Sequence, residues 1–260
     1  MTATGSAPTR TGPVWTDKGE YRVVVEPNPR RIRVFFNGAT IADSRNMRLL
    51  HETRHSPVYY FPFEDVAMQY LTKTTHSTHC PHKGDASYWN IKVGDKVAEN
   101  AIWAYEDPIG KQPELKGLCA FYWSRVDKWM EEDEEILIHP KNPYWRVDVV
   151  KSSRHVLVKV GGEVIADSQR PMVLFETGLQ PRYYLPREDV RMDRLVRADL
   201  RTGCPYKGHA SYWSLKAGDQ TLENVVWSYE DPLPESERVR GLVSFWSEKI
   251  DAVTVDGQRI

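Results

Sequence analysis

The sequence predicts an all-β protein, mainly antiparallel with a minor helix, built from two tandem copies of one small domain. The tetrapeptide Ile-Ala-Asp-Ser at residues 41–44 returns at residues 165–168, which is 124 positions later. The same offset relates residues 21–127 to residues 145–251 without an insertion or deletion. A single compact domain would not keep one offset over such a length, because its two halves would have different positions in the core. Within each copy, most local signals are typical of strands.

The boundaries of the repeat predict four segments. Residues 1–20 are expected to form a flexible tail, residues 21–130 the first repeat domain, and residues 145–260 the second. Residues 131–144 between them are acidic and then rich in proline, which is typical of a linker. A linker of this length keeps the repeats close, so we expect an intramolecular pseudo-dimer.

The strands are predicted from alternation and from turn residues. Residues 31–36 alternate, Asn37 and Gly38 form a favoured hairpin turn, and residues 39–43 return. The second copy repeats this hairpin around two glycines. Further strands are predicted at residues 58–61, 86–93, 100–105 and 118–123.

One short helix is predicted to begin at Pro62. Carboxylates follow this proline, and Met68 and Leu71 continue at a helical spacing. The strands outnumber this helix, which is why the predicted class is mainly antiparallel β.

Composition excludes several classes of partner. The chain of 260 residues has 35 Lys and Arg against 36 Asp and Glu, so no basic field attracts nucleic acid or a membrane surface. No run of about 18 apolar residues is present. The three cysteines, Cys80, Cys119 and Cys204, are an odd number without a disulfide pattern, which favours a reducing, cytoplasmic location.

Two shared residue types could carry chemistry. Glu52 and Glu176 each end an apolar stretch, where a raised pKa would suit a general acid or base. The alternative is a surface glutamate, or one that pairs with a lysine or a backbone amide.

A cysteine and a lysine three residues apart also recur, on a predicted turn. A nearby cation lowers the pKa of a thiol, so the cysteine could be a nucleophile. A buried thiol with the lysine lying over the sheet is the favoured alternative. The pairs are Cys80 with Lys83 and Cys204 with Lys207.

A metal site is not expected. His76, His79 and His82 crowd around Cys80, and these are ligand types that suit zinc. The second copy keeps only the cysteine, so the repeat argues against such a site, and no cofactor is predicted.

Aromatic residues are the densest shared signal. Tyrosine and tryptophan often line ligand pockets, and alternation along a strand would place only some of them on one face. We therefore expect an aromatic-walled pocket in each copy, with the glutamate, lysine and cysteine near its rim. The alternative is two well-filled cores. The candidate ligand-binding residues are Tyr59, Tyr60, Tyr88, Trp89, Trp103 and Tyr105 in the first copy, and Tyr183, Tyr184, Tyr212, Trp213, Trp227 and Tyr229 in the second.

These residues, with Cys80-Pro81, Lys83-Gly84 and their counterparts in the second copy, resemble the family of domain of unknown function 427. The resemblance implies a small β domain of β-tent-like architecture and no settled activity. The family is sometimes labelled nucleotidyltransferase-like. Nucleotidyl transfer is not expected here, because the chain has neither a glycine-rich phosphate loop before a helix nor a close carboxylate pair after a Gly-Ser motif.

Three functions remain as hypotheses. The first is a small-molecule enzyme with Glu52 or Glu176 in proton transfer, assisted by lysine and tyrosine, and with cysteine as an additional nucleophile. The second is a non-catalytic module that holds a small molecule in an aromatic cage. The third, which only the duplication suggests, is a paired scaffold for protein contacts.

Overall fold

The computed structural model describes residues 21–110, 112–218 and 220–260. They form two compact units, and the boundary between the units falls after Tyr144. The predicted tail, residues 1–20, lies outside the described residues. Both units are mainly antiparallel β, which confirms the predicted fold class and the two tandem copies. No helix in the described part of the chain is long and apolar enough to cross a membrane.

The first unit contains strands and short 3₁₀ helices. Its strands are β1 (Val23–Pro27), β2 (Ile32–Phe36), β3 (Ala39–Ser44), β4 (Arg48–Glu52), β5 (Val58–Pro62), β6 (Leu71–Cys80), β7 (Gly84–Val93), β8 (Lys96–Ala104), β9 (Leu118–Phe121), β10 (Lys128–Glu131) and β11 (Glu134–Glu135). Its 3₁₀ helices are Phe63–Asp65, Met68–Tyr70, Pro113–Leu115 and Trp123–Arg125.

The second unit repeats this order. Its strands are β12 (Val147–Lys151), β13 (Val156–Val160), β14 (Glu163–Ser168), β15 (Met172–Glu176), β16 (Arg182–Leu185), β17 (Leu195–Cys204), β18 (Gly208–Ala217), β19 (Gln220–Pro232), β20 (Val243–Phe245), β21 (Ala252–Val255) and β22 (Gln258–Arg259). Its 3₁₀ helices are Arg187–Asp189, Met192–Arg194, Pro234–Val239 and Ser247–Lys249.

Each unit has one seven-stranded and one four-stranded sheet. In the first unit the orders are β1-β4-β5-β9-β8-β7-β6 and β11-β10-β2-β3, and in the second they are β12-β15-β16-β20-β19-β18-β17 and β14-β13-β21-β22. The two units therefore share one topology.

The main core of each unit joins its two sheets. In the first unit, Ile32 and Val34 of β2 belong to one buried cluster with Phe61 of β5 and Ile102 of β8. Side chains alternate across a strand, so the neighbouring residues of β5 and β8 project to the other face of the large sheet. A second buried cluster, which includes Tyr60 and Tyr105, lies there. This second face carries the candidate site.

The predicted helix after Pro62 is not formed as one element. The structure has two separate 3₁₀ turns, and Leu71 begins strand β6. The Ala67 backbone N–H donates to the Ile41 carbonyl at 2.8 Å, and Val66 forms a bridge with Ala42. These tertiary hydrogen bonds occupy backbone groups that a continuous helix would need.

The predicted linker begins later than residue 131. Glu131 pairs with Glu134 in the hairpin of β10 and β11, which belongs to the small sheet of the first unit. The hairpin of β21 and β22 is its counterpart, so the structural repeat continues beyond residues 127 and 251. Arginines offset the acidic charge, since Arg30 pairs with Glu131 and Arg33 pairs with Asp133.

Candidate functional site

A cavity opens on the second face of the large sheet in each unit. Its volume is about 300 Å³ in the first unit and about 470 Å³ in the second. Eight lining positions are equivalent in the repeat. They are Leu50, Glu52, Tyr60, Lys83, Tyr88, Trp103, Tyr105 and Tyr122 in the first unit, and Leu174, Glu176, Tyr184, Lys207, Tyr212, Trp227, Tyr229 and Trp246 in the second.

The pleat of the strands decides which predicted aromatic residues reach the cavity. The others point to the opposite face and are buried in the main core between the sheets, where they fill space. These core residues are Tyr59, Trp89, Tyr183 and Trp213. The sequence did not single out Tyr122 and Trp246, because the residue differs between the copies although its aromatic character is kept.

A buried ion pair forms one wall of each cavity. Lys83 Nζ donates to Glu52 Oε2 at 2.5 Å, and each of these side chains is only 9% exposed. Lys207 pairs with Glu176 in the same way, and there each side chain is 10% exposed. The alternative in which the glutamate answers a lysine is therefore the arrangement that the structure shows.

An aromatic donor holds the second carboxylate oxygen in both units. The Tyr21 hydroxyl donates to Glu52 Oε1 at 2.6 Å, and the Trp145 indole donates to Glu176 Oε1 at 3.0 Å. Tyr21 and Trp145 occupy equivalent positions in the two repeats, and each donates the same hydrogen bond to the glutamate. Sequence identity alone does not reveal this partner, because the residue type changes.

The pKa of Glu52 does not rise as the apolar flank suggested. Burial acts to raise this pKa, but the hydrogen bonds from Lys83 and Tyr21 outweigh burial and hold the pKa below its usual value. Glu52 is therefore an anion at neutral pH. It therefore lacks the raised pKa on which the expectation of a general acid rests.

We expect Tyr21→Phe to weaken the first unit by about 1 kcal/mol, because the carboxylate loses a charge-assisted hydrogen bond at a partly exposed position. The same change should raise the pKa of Glu52, which a carbon-detected NMR titration of the carboxyl group would measure. Tyr70→Phe is the matched control, because no side-chain hydrogen bond involves Tyr70 in the described part of the chain. An unchanged pKa of Glu52 in Tyr21→Phe would show that the hydroxyl does not act on the carboxylate.

A tight turn places each lysine. The Lys83 backbone N–H donates to the Cys80 carbonyl, and the Lys83 carbonyl accepts from the Ile109 N–H, both at 3.2 Å. Gly84 follows with a φ of +101°, which only glycine adopts readily. The equivalent Gly208 has a φ of +89°. The lysine backbone is thus fixed on both sides.

The three cysteines are free thiols, and none of them lines either of these two cavities. Cys80 is partly buried beside the cluster under the first cavity, and Cys204 is similarly half-buried. Lys83 directs its ammonium to Glu52, so the structure favours the interpretation of a packed thiol. Cys119 is fully buried, and burial raises the pKa of its thiol.

The histidines near Cys80 have separate partners. His79 pairs with Asp85 at 2.6 Å, His76 packs on the Tyr88 ring, and His82 stacks on the Tyr21 ring. In the described ranges no three His, Cys, Asp or Glu side chains are grouped so that they could hold a metal ion.

Two phenols per cavity are neutral proton donors. In each unit a tryptophan indole donates to a buried tyrosine hydroxyl at 3.1 Å, from Trp103 to Tyr60 and from Trp227 to Tyr184. Tyr105 is 6% exposed, and its hydroxyl has no hydrogen-bond partner among the described residues. Burial raises the pKa of the phenols of Tyr60, Tyr105, Tyr184 and Tyr229.

The rims of the two cavities differ. In the second unit Arg182 donates two hydrogen bonds to Glu248, at 2.7 and 2.9 Å, and lies over the Trp227 ring. The bond from Arg182 lowers the pKa of Glu248 to about 2. The first unit has Val58 and Ser124 at these positions. The wall near the ion pair is therefore shared, whereas the entrance is specific to each repeat.

Comparison with known proteins agrees with the duplicated topology. One family model, described as a domain of unknown function (DUF427), matches the chain twice, at residues 24–132 and 148–256. No curated protein matches the chain. The two matched segments cover most of the chain and coincide with the two structural units. The chain therefore belongs to the DUF427 family, as a tandem member with two copies of the domain.

Proposed function

We propose that each repeat binds a small organic molecule in its aromatic cavity. The observation that carries this proposal is the hydroxyl of Tyr105 and of its equivalent Tyr229. Each tyrosine is 6% exposed and lines a cavity, and neither hydroxyl has a hydrogen-bond partner in the described part of the chain. A phenol hydroxyl that faces a cavity and has no protein partner can donate a hydrogen bond to a bound molecule. A bound ligand would supply the missing hydrogen bond at the same place in both repeats.

The cavity walls support this function. Volumes of about 300 and 470 Å³ lie within the range of small-molecule sites. Trp103 lies edge-on to Tyr60 at an interplanar angle of 85°, and Trp227 lies edge-on to Tyr184 at 87°. The indole hydrogen bonds and ring packing hold these walls in place before a ligand arrives. A preformed site loses less conformational entropy on binding.

Binding is better supported than acid-base catalysis. In the first unit the carboxylate is held as an anion by two donors, and in both units the cysteine lies outside the cavity lining. An enzyme that uses the glutamate as a base would need to free this carboxylate from its two donors before it could take a proton from a substrate. The enzyme hypothesis therefore stays second, and formation of a product from a bound ligand, seen by mass spectrometry, would restore it.

The binding proposal can be tested with three probes of similar shape: benzoate, benzamide and benzylammonium. Each would be titrated to about 10 mM, since fragments of this size bind weakly. The indole N–H signals of Trp103 and Trp227 report the two cavities, and Trp103→Phe and Trp227→Phe assign them. We expect at least one probe to shift both signals with saturation.

The Trp129 indole is the internal control, because it donates to the Trp123 carbonyl and lies in the main core of the first unit. Its signal should stay in place. If no probe shifts either cavity signal, or if all indole signals move together without saturation, the proposal of a binding site fails.

A further inference from the structure

Each cavity presents unused hydrogen-bond donors beside its buried ion pair. A lysine ammonium has three protons, and Lys83 gives one of them to Glu52. No other hydrogen bond of this ammonium occurs within the described residues. The Tyr60 hydroxyl accepts from Trp103, so its own proton stays available, and the Tyr105 hydroxyl has no partner among the residues that the structure describes. Lys207, Tyr184 and Tyr229 repeat these conditions in the second unit.

The carboxylate beside these donors is already engaged. Both oxygens of Glu52 receive a hydrogen bond, from Tyr21 and from Lys83. A ligand ammonium that approached this carboxylate would meet the Lys83 ammonium, which lies 2.5 Å from it. Like charges that share a partly buried site repel each other, and burial weakens the screening of that repulsion. The site therefore disfavours cations despite its aromatic walls.

We propose that both cavities select ligands whose polar group is a hydrogen-bond acceptor oxygen, a carboxylate or an acyl carbonyl, on a flat apolar body. This inference rests on the proposed binding function. The acceptor oxygen would lie between the lysine ammonium and the unpaired phenol. The flat body would pack on the tryptophan and on Tyr122 in the first unit or Trp246 in the second. Because these donors recur in both units, the preference is common to the two cavities, whereas the rims select the remainder of each ligand.

The three probes separate this inference from the binding proposal. Benzoate presents a carboxylate, benzamide presents a carbonyl together with a donor, and benzylammonium presents only a cationic donor. We expect benzoate or benzamide to bind at least about tenfold more tightly than benzylammonium, which corresponds to one well-formed hydrogen bond. Which of benzoate and benzamide binds more tightly shows whether the site recognises the negative charge or the carbonyl oxygen.

A Tyr105→Phe variant tests the proposed contact. It should weaken binding of the preferred probe at Trp103 by about fivefold to tenfold, because the ligand loses one donor. Binding at Trp227 in the same molecule should not change, and an unmoved Trp129 signal shows that the first unit is folded. Tyr229→Phe should give the reverse pattern.

Two results would overturn the inference. Benzylammonium could bind as tightly as benzoate and benzamide, or Tyr105→Phe could leave the affinity of the first cavity unchanged while Trp103 still responds. In either case a ligand site would exist without the proposed preference. The absence of any response to all three probes would instead refute the binding function itself.

Discussion

Lys83→Met is expected to destabilise the first unit by about 3 kcal/mol at neutral pH, because it leaves a buried carboxylate without its counter-charge. Methionine has a similar length and keeps the apolar contacts of the lysine stem, so the loss arises mainly from the charge. Glu52 would keep only the hydrogen bond from Tyr21.

The effect of Lys83→Met should depend on pH in a defined direction. In the native protein the pKa of Glu52 is lowered, so the pair contributes fully above the pKa of an unfolded glutamate, about 4.3. That contribution is lost as the pH falls through the lowered pKa of the folded state. Without Lys83, burial raises the pKa of Glu52, and protonation removes the uncompensated charge. The difference between the two proteins should therefore shrink on acidification.

Urea titrations at several pH values, followed through the indole signals of Trp103 and Trp227, would measure this difference. Trp103 reports the altered unit, and Trp227 reports the unit that keeps its pair. Lys128→Met is the matched control, because its partner Glu135 lies 3.6 Å away and both side chains are about half exposed. It should cost less than about 1 kcal/mol. An equal loss in both variants would contradict a special role for the buried pair.

Gly208→Ala is expected to destabilise the second unit by about 3 kcal/mol, the sum of a positive φ and a steric clash. Its φ is +89°, and an added Cβ would lie 3.2 Å from the Asp231 carbonyl oxygen. That oxygen belongs to strand β19, which pairs with the strand that Gly208 begins. The backbone must move to relieve the contact, and Lys207 would move with it.

Gly162→Ala separates the two contributions. Its φ is +82°, but nothing lies within 4 Å of an added Cβ, so only the conformational cost of about 1–2 kcal/mol applies. Urea titrations followed through the Trp227 signal would compare the two variants. Equal losses of unfolding free energy in the two variants would mean that the contact between the added Cβ and β19 does not destabilise the unit. A further result is expected only for Gly208→Ala, namely weaker probe binding at Trp227, because the displaced lysine belongs to that cavity.

Most of the fold could be predicted from the sequence, and the gaps have physical causes. The hairpin of β2 and β3 was predicted because Asn37-Gly38 follows an alternating, β-branched segment. Strand β6 was missed because it is an exposed edge strand, rich in threonine and histidine, with no apolar alternation. The acidic residues of the hairpin of β10 and β11 predict a linker when the sequence is read alone. The sequence does not show that Arg30 and Arg33 lie beside them and offset their charge.

Only part of the candidate site could be predicted from the sequence, because contacts between distant residues complete it. The repeat selected the glutamate, the lysine and the aromatic residues, and alternation along β8 placed Trp103 and Tyr105 on one face. Neither signal shows which face of the large sheet opens into a cavity. Tyr21 and Trp145, the donors to the carboxylates, lie in sequence far from the glutamates and differ in type between the copies.

The sequence by itself determined that this protein has two copies of one mainly antiparallel β domain, and which residue types both copies retain. These properties follow from local patterning and from a constant offset, and neither depends on contacts between distant residues. Only the tertiary structure decided that lysine and glutamate form a buried pair and that the cysteines lie outside these two cavities. It also decided that Tyr105 and Tyr229 have no hydroxyl partner among the described residues. Those facts depend on how strands distant in sequence are brought together, because the charge state and hydrogen bonding of a side chain are set by its neighbours in space.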